Sequence, residues 1–321
     1  MIRVICLFVV SFFSFIHSFA CINGEIRKLS NGKGLSMDMK DGIVPHGHMY
    51  TLSHDDKVLK ELDSLWKATD SIEYLSDYGV VLIFQHKYEE AKNIYLQIEK
   101  LKPDRYSTAS NIGTVYELLG DNKNALAWIK KSVQLNAVSH DSSEWLHVRI
   151  LEANIGGDAL INSDFLLHTD FGRDSMPASI LSEGELLHLR NALFFQLNER
   201  LTFVRPEDKI VAQLLFDLAN IGLLTGANIY QVNDIYSMAK KYGYTNPIWE
   251  ARHINAKKLS EKINRGQVAT TLHGQEVQTP KIDFPWAIIL GICFLISPVL
   301  MFFYLRSKMN SDGKPFIYRK K

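Results

Sequence analysis

The sequence predicts an all-α fold: helical hairpins stacked into a short α-solenoid, followed by one helix of membrane-spanning length. Three observations carry the prediction. Between residues 72 and 139, residues of similar size recur at a fixed offset of 34. Elsewhere from 53 to 265, apolar residues fall at helical spacing, and no stretch reads as a sheet-forming set of strands. Phe284 to Leu305 then runs 22 residues without a charge. Periodicity near 3.6 marks amphipathic helices, and self-similarity at roughly 20–50 residues marks arrays whose units bury their apolar faces against each other.

Residues 1–20 read as a signal peptide, with Arg3 as the positive head, Ile5 to Ile16 as the apolar middle and Ser18-Phe19-Ala20 as a small-x-small cleavage site. Cleavage there leaves Cys21 at the new N-terminus. That place raises lipidation, although Ser18 stands where lipoprotein processing expects an aliphatic residue. Residues 21–52 are rich in Gly, Lys and Asp with no sustained period, and are expected to form an extended leader lying on the domain or partly disordered. Ser53 is the expected cap of a helix whose Val58, Leu59, Leu62, Leu65 and Trp66 share one face and cover the open end of an array.

The repeat region spans 53–156. Its first clear unit, 72–105, carries Leu75, Tyr78, Gly79, Leu82, Ala91, Tyr95, Ile98 and Pro103. Its second, 106–139, carries Ala109, Ile112, Gly113, Tyr116, Ala125, Ile129, Ser132 and Ala137 in the same slots. Small residues recur twelve apart at Gly79/Ala91 and Gly113/Ala125, where the two helices of a hairpin must cross closely. These residues resemble the tetratricopeptide repeat, whose small, small, aromatic and proline positions match Gly79, Ala91, Tyr95 and Pro103. The second unit puts Ala137 at the proline, so its helix end must be set by something else. A third helix opens in register with Trp145, Leu146 and Ile150, yet His147 occupies the glycine slot. Trp145 is expected to plug the core rather than to stand out as an anchor. The chain as a whole resembles a membrane-anchored bacterial member of that family.

Beyond the repeats, Asp141 with Glu144 and Ser182 with Glu185 have the spacing of capping boxes, the first opening a helix that Gly156-Gly157 stops. Residues 157–181 are expected to be a loop with one short element. A helix from Ser182 to about Phe203 follows, then a hairpin over 207–225 and 229–243 and a last helix over 246–265. Residues 157–265 thus form a second helical region, a set of decayed repeats at most because the small-residue spacing is missing. A polar linker, 266–283, leads to the apolar span 284–305, which as a helix is about 33 Å long against a hydrocarbon layer of about 30 Å. The basic tail, 306–321, carries six Lys and Arg against Asp312 and is assigned to the cytoplasm. The body is therefore expected outside the cytoplasm, on the periplasmic side of a bacterial inner membrane.

Net charge is +1 with no basic face, which argues against a nucleic-acid partner. Cys6 and Cys293 fall in the two apolar segments, leaving Cys21 without an intramolecular disulfide partner. His46, His48 and His54, with Asp55 and Asp56, are the densest set of potential metal ligands, and a metal-dependent enzyme built on them is the competing function. Such a site needs further convergent ligands and a supporting shell that the sequence does not supply, so no metal, cofactor or catalytic residue is assigned. Asp170-Phe171-Gly172 spells a kinase tripeptide without the rest of the kinase set.

The resemblance implies a concave groove lined by the first helix of each unit, and thus a protein or peptide partner. Carried over by register, the groove positions are Glu73, Ser76, Asp77, Val80, Ile83 and Phe84, then Ser107, Ser110, Asn111, Thr114, Glu117 and Leu118. One branch of the family clamps a carboxylate with lysine, asparagine, asparagine, lysine and arginine. The equivalent slots hold Ser76, Val80, Asn111, Asp141 and Trp145, so only Asn111 is kept and carboxylate recognition is not expected. Val80, Ile83, Phe84 and Leu118 are placed either to receive an apolar segment or to pack inside the hairpins. The reading is a membrane-tethered scaffold for protein or peptide binding, with a structural subunit of an envelope complex as a further alternative.

Overall fold

The computed structural model describes residues 24–39, 42–52, 56–138 and 142–265. The segment read as a signal peptide, Cys21, Ser53, His54, Asp55, Asp141, the segment read as a linker, the uncharged stretch 284–305 and the basic stretch 306–321 lie outside the described residues. The chain divides into two compact units, 1–275 and 276–321, and every described residue belongs to the first.

Most of the described chain is helical, but the expectation of no strands is corrected at its start. Three strands, β1 (Gly24–Lys28), β2 (Gly34–Met39) and β3 (His48–Tyr50), form an antiparallel sheet in the order β1-β2-β3. The described residues of the leader are therefore a folded part of the body. Its β1–β2 connection turns at Gly32, whose φ of +84° suits glycine. Asn198 Oδ1 accepts from the backbone N–H groups of His46 (2.9 Å) and Gly47 (3.1 Å), and Thr202 Oγ1 accepts from that of His48 (2.8 Å).

Helices α1 (Lys57–Thr69), α2 (Ile72–Phe84), α3 (Tyr88–Leu101), α4 (Tyr106–Leu118) and α5 (Asn122–Leu135) stack in sequence order, and α6 (Glu144–Gly156) packs on α5. The two clear repeats are the hairpins α2/α3 and α4/α5. At each crossing the glycine is required by space. A Cβ on Gly79 would stand 2.7 Å from the Tyr95 ring, and one on Gly113 would stand 2.5 Å from Ile129 Cδ1. The Tyr95 hydroxyl donates to the Ser76 carbonyl (3.0 Å) and accepts from Asn111 Nδ2 (3.1 Å), tying the first hairpin to the second. Val58, Leu59 and Leu62 of α1 are buried against the first hairpin, covering its open side as the apolar face predicts. At the missing proline, α5 ends because Asn136 takes an extended conformation and its Oδ1 accepts the Val138 N–H (3.3 Å).

The second helical region holds α7 (Ser163–Leu167), α8 (Glu183–Phe203), α9 (Lys209–Leu224), α10 (Ile229–Lys241) and α11 (Ile248–Asn264). The capping box at Ser182 and Glu185 forms as spaced, with the Ser182 N–H donating to Glu185 Oε2 (2.8 Å). Helix α9 is buried on nearly every side, because α8 and α10 flank it and Phe216 packs between Tyr236 and Tyr244. Arg252 of α11 is only 1% exposed, and donates to the carbonyls of Phe171 (2.6 Å), Gly172 (2.7 Å) and Asp174 (3.2 Å). Those bonds pin the loop before α8. Among the described residues no helix is long and apolar enough to cross a membrane.

Candidate functional site

The first helices of the two repeats border a cavity that the protein's own chain roofs. The C-terminal half of α8 and the sheet lie over the first helices of both repeats and enclose a cavity of about 410 Å³. Of the twelve groove positions, eight line this cavity: Val80, Ile83, Phe84, Ser110, Asn111, Thr114, Glu117 and Leu118. From the roof come Arg27, Leu35 and His48 of the sheet, and Gln196, Glu199, Arg200, Phe203 and Val204 from α8 and its end. Glu144 and His147 of α6 close one side.

The other four positions have local duties. Glu73 pairs with Arg105 (2.7 Å), the residue that precedes α4, and Ser107 is exposed. Ser76 is buried, its carbonyl held by Tyr95. Asp77 Oδ2 accepts the Ser30 N–H (2.6 Å), which docks the β1–β2 turn onto α2; burial raises its pKa above the ordinary carboxylate value despite that bond. The two readings open for the apolar positions divide. Ile83, 5% exposed, is mostly packed inside the hairpin and borders the cavity only in part, whereas Phe84 stacks on Tyr50 (5.2 Å between centroids) and meets Phe203 at 5.5 Å.

Two ion-pair groups hold the roof, the first to the floor and the second within itself, joining the sheet to α8. In the first, Glu117 receives Arg200 Nη1 (2.8 Å) on one oxygen and His147 Nε2 (2.7 Å) on the other. Burial opposes ionisation of Glu117, yet the charges of Arg200 and His147 outweigh it and hold its pKa far below the usual carboxylate range. Glu117 is therefore a carboxylate. In the second, His48 Nδ1 lies 2.5 Å from Asp38 and its Nε2 3.0 Å from Glu199, which Arg27 also meets at 3.3 Å. Burial works against the charged imidazole and so does Arg27, but the bonds to Glu199 and Asp38 prevail and raise the His48 pKa.

The cavity's cations thus arrive already paired, and no guanidinium or ammonium stands ready for a carboxylate. Of the family's clamp slots, Asn111 is engaged by Tyr95 and Trp145 is half-buried against the core of the second helical region, the plug position expected of it. What the cavity presents is an apolar wall, Val80, Ile83, Phe84, Leu118 and Phe203, beside hydrogen-bonding groups at Ser110, Thr114 and Gln196. That mixture suits a neutral segment with a hydrophobic side chain.

Of the three histidines singled out in the sequence, His54 lies outside the described residues. His46 is exposed, His48 is committed to Asp38 and Glu199, and no metal-holding group of three His, Cys, Asp or Glu occurs among the described residues. Sequence reasoning missed Arg200, Glu199, Phe203 and Arg27 as cavity residues. Its one available signal was His147, whose departure from the glycine slot marks the point where the groove is closed from the side. No curated protein matches the chain. Residues 107–138, nearly all of α4 and α5, match the family model of the tetratricopeptide repeat, so the chain carries a repeat of that family in the hairpin whose first helix borders the cavity.

Proposed function

We propose that this protein is a membrane-tethered scaffold that binds a protein or peptide outside the cytoplasm through the groove of its two repeats. The observation that carries the binding role is the convergence of eight register-predicted groove residues on one cavity. The repeat match in α4 and α5 supports the same role, because such repeats serve protein–protein interaction. The partner offers an uncharged, hydrophobic segment, since the cavity's charges are already matched to each other. Tethering rests on the uncharged stretch 284–305 and its basic flank, and export on the apolar N-terminal segment with its cleavage site. A tether raises the local concentration of the bound partner at the bilayer.

The test places a photoreactive residue at Leu118, on the cavity wall, and another at Ile155, which is 42% exposed outside the cavity. Irradiation of intact membranes is expected to give a discrete protein adduct at Leu118 and none at Ile155. Labelling of lipid alone, or the same adduct from both positions, refutes groove binding. Reaction of an epitope tag at the C-terminus with antibody in intact cells refutes the assigned orientation.

A further inference from the structure

The roof is made of two pieces, and the seam between them borders the cavity. The sheet brings Arg27 and His48 to that seam and α8 brings Glu199, and all three line the cavity wall. The charged contacts across it converge on one carboxylate. Glu199 Oε1 lies 3.0 Å from His48 Nε2, and 3.3 and 3.4 Å from the terminal nitrogens of Arg27. Helix α8 is anchored elsewhere, by Leu189, Leu193 and Leu197 in the core of the second helical region and by Arg200 to Glu117. The sheet rests on the first repeats instead. Leu29 and Leu35 are buried in the core that α1 to α4 share, the Ser30 N–H donates to Asp77 (2.6 Å), and Asn31 Nδ2 donates to Glu61 (3.0 Å).

His48 is the member of the seam whose charge changes near neutral pH. Its ring is 5% exposed and stands between two carboxylates, with Asp38 of β2 2.5 Å from Nδ1 and Glu199 3.0 Å from Nε2. An ionised carboxylate accepts hydrogen bonds and donates none, so only the imidazolium, with a proton on each nitrogen, serves both sides. The neutral ring keeps one proton. Nδ1 has the shorter contact, to the residue directly opposite His48 in the sheet, so the proton stays there and the Nε2 lone pair is turned on Glu199. Deprotonation therefore spares the bond within the sheet and breaks the one across the seam.

The charge balance runs the same way. Among the described residues the charged groups facing His48 are Asp38 from β2, Arg27 from β1 and Glu199 from α8. Two carboxylates meet two cations while the ring is charged, and one negative charge is left over when it is neutral. The carboxylates outweigh burial and Arg27 and raise the His48 pKa, so the closed seam is fully stabilised below the ordinary 6.5 and weakens as pH climbs through the higher value.

We propose that His48 is a pH-operated latch on the cavity: the imidazolium holds the sheet against α8, and the neutral ring lets the sheet part from α8 while it keeps its hold on the first repeats, opening the groove to a partner. The gating of a partner rests on the groove-binding reading; the latch does not.

The test follows hydrogen exchange at the Gly47 and His48 amides, which cross the seam to Asn198 and Thr202, in the full chain at pH 6 and pH 8.5. Rates are corrected for the hydroxide dependence of free amides, so that the remainder reports opening. From the lower to the higher pH, opening is expected to rise roughly tenfold more than in His48→Gln, the size of one hydrogen bond to a charged group. Every other titration, that of Asp217 included, is common to both chains. His46→Gln, at an exposed neighbour, is expected to keep the wild-type step. An equal step in His48→Gln overturns the latch. So does a wild-type His48 pKa at or below 6.5, read from the imidazole proton shifts without any variant. With the photoreactive residue at Leu118, a protein adduct that grows severalfold between the same pH values supports the gate, and an equal yield at both overturns it. A full exchange step with no adduct at either pH supports the latch and refutes the groove-binding reading alone.

Discussion

Gly113→Ala should change the sign of its effect when Ile129 is shortened, and that reversal tests the close helix crossing on which the groove is built. The added methyl would stand 2.5 Å from Ile129 Cδ1 and 2.6 Å from Cγ1, against a comfortable carbon separation of about 3.5–4.0 Å. Ile129 is fully buried, so the side chain cannot swing into solvent. Overpacking of this kind costs about 1–3 kcal/mol. Alanine recovers about 1 kcal/mol through its higher helix propensity, which leaves a net loss of up to about 2 kcal/mol.

Ile129→Ala alone opens a cavity and should cost about 2–5 kcal/mol. In that background the methyl at Gly113 meets only the backbone nitrogen of residue 129, at 3.2 Å, and enters vacated space. The same substitution then stabilises by roughly 1 kcal/mol, and the coupling between the two sites is roughly 1–3 kcal/mol. Urea unfolding of the four chains, followed by helical circular dichroism, measures it. Additivity within about 0.5 kcal/mol would refute the crossing, as would a Gly113→Ala chain as tolerant as Gly184→Ala, where an added Cβ meets nothing within 4 Å.

Two further outcomes concern the second helical region. Asp217 is fully buried, accepts from Ser163 Oγ (2.8 Å) and Gln213 Nε2 (3.0 Å), and burial raises its pKa from 3.8 to about 7. A raised folded-state pKa gives stability that is complete below pH 3.8 and lost as pH climbs through about 7, so wild type should weaken by roughly 3 kcal/mol between about pH 5 and pH 8. Asp217→Asn should flatten that slope in urea titrations at the two pH values; an unchanged slope places the titration elsewhere. Arg252→Ala leaves the carbonyls of Phe171, Gly172 and Asp174 without their donor, and should speed tryptic cleavage at the exposed Arg173 by roughly tenfold. An unaltered cleavage rate means the loop holds its shape without the guanidinium.

Much of the repeat region was legible because its determinants are local and steric. Gly79 and Gly113 announce a crossing that admits no Cβ, and Tyr95 and Ile129 are the side chains that fill it. The helices of the second region were legible from Ser182 with Glu185 and from apolar spacing, to within a few residues of their ends. The strands were not, because sequence reading looks for alternation with the apolar side inward. Here His48 faces the body, held by Asp38 and Glu199, whereas Ile26 and Met49 are exposed. The closure of the groove was equally hidden. It depends on Arg200 reaching Glu117 across 83 positions of sequence and on Tyr50 and Phe203 meeting Phe84, and no spacing encodes such a meeting.

His147 shows how a departure from a pattern can carry information that the pattern itself does not. A glycine there would let another helix cross α6 as α3 crosses α2. The imidazole instead spends that room on Glu117, 2.7 Å away, and Glu117 in turn holds Arg200 of α8. The substitution that ends the repeat in the sequence is thus the one that binds the array's closing helix, so loss of the glycine and roofing of the groove are two consequences of the same side chain. A solenoid must cover its last apolar face with something. This chain covers it with α6, α7 and α8 and fastens the cover through a buried carboxylate that the second repeat supplies.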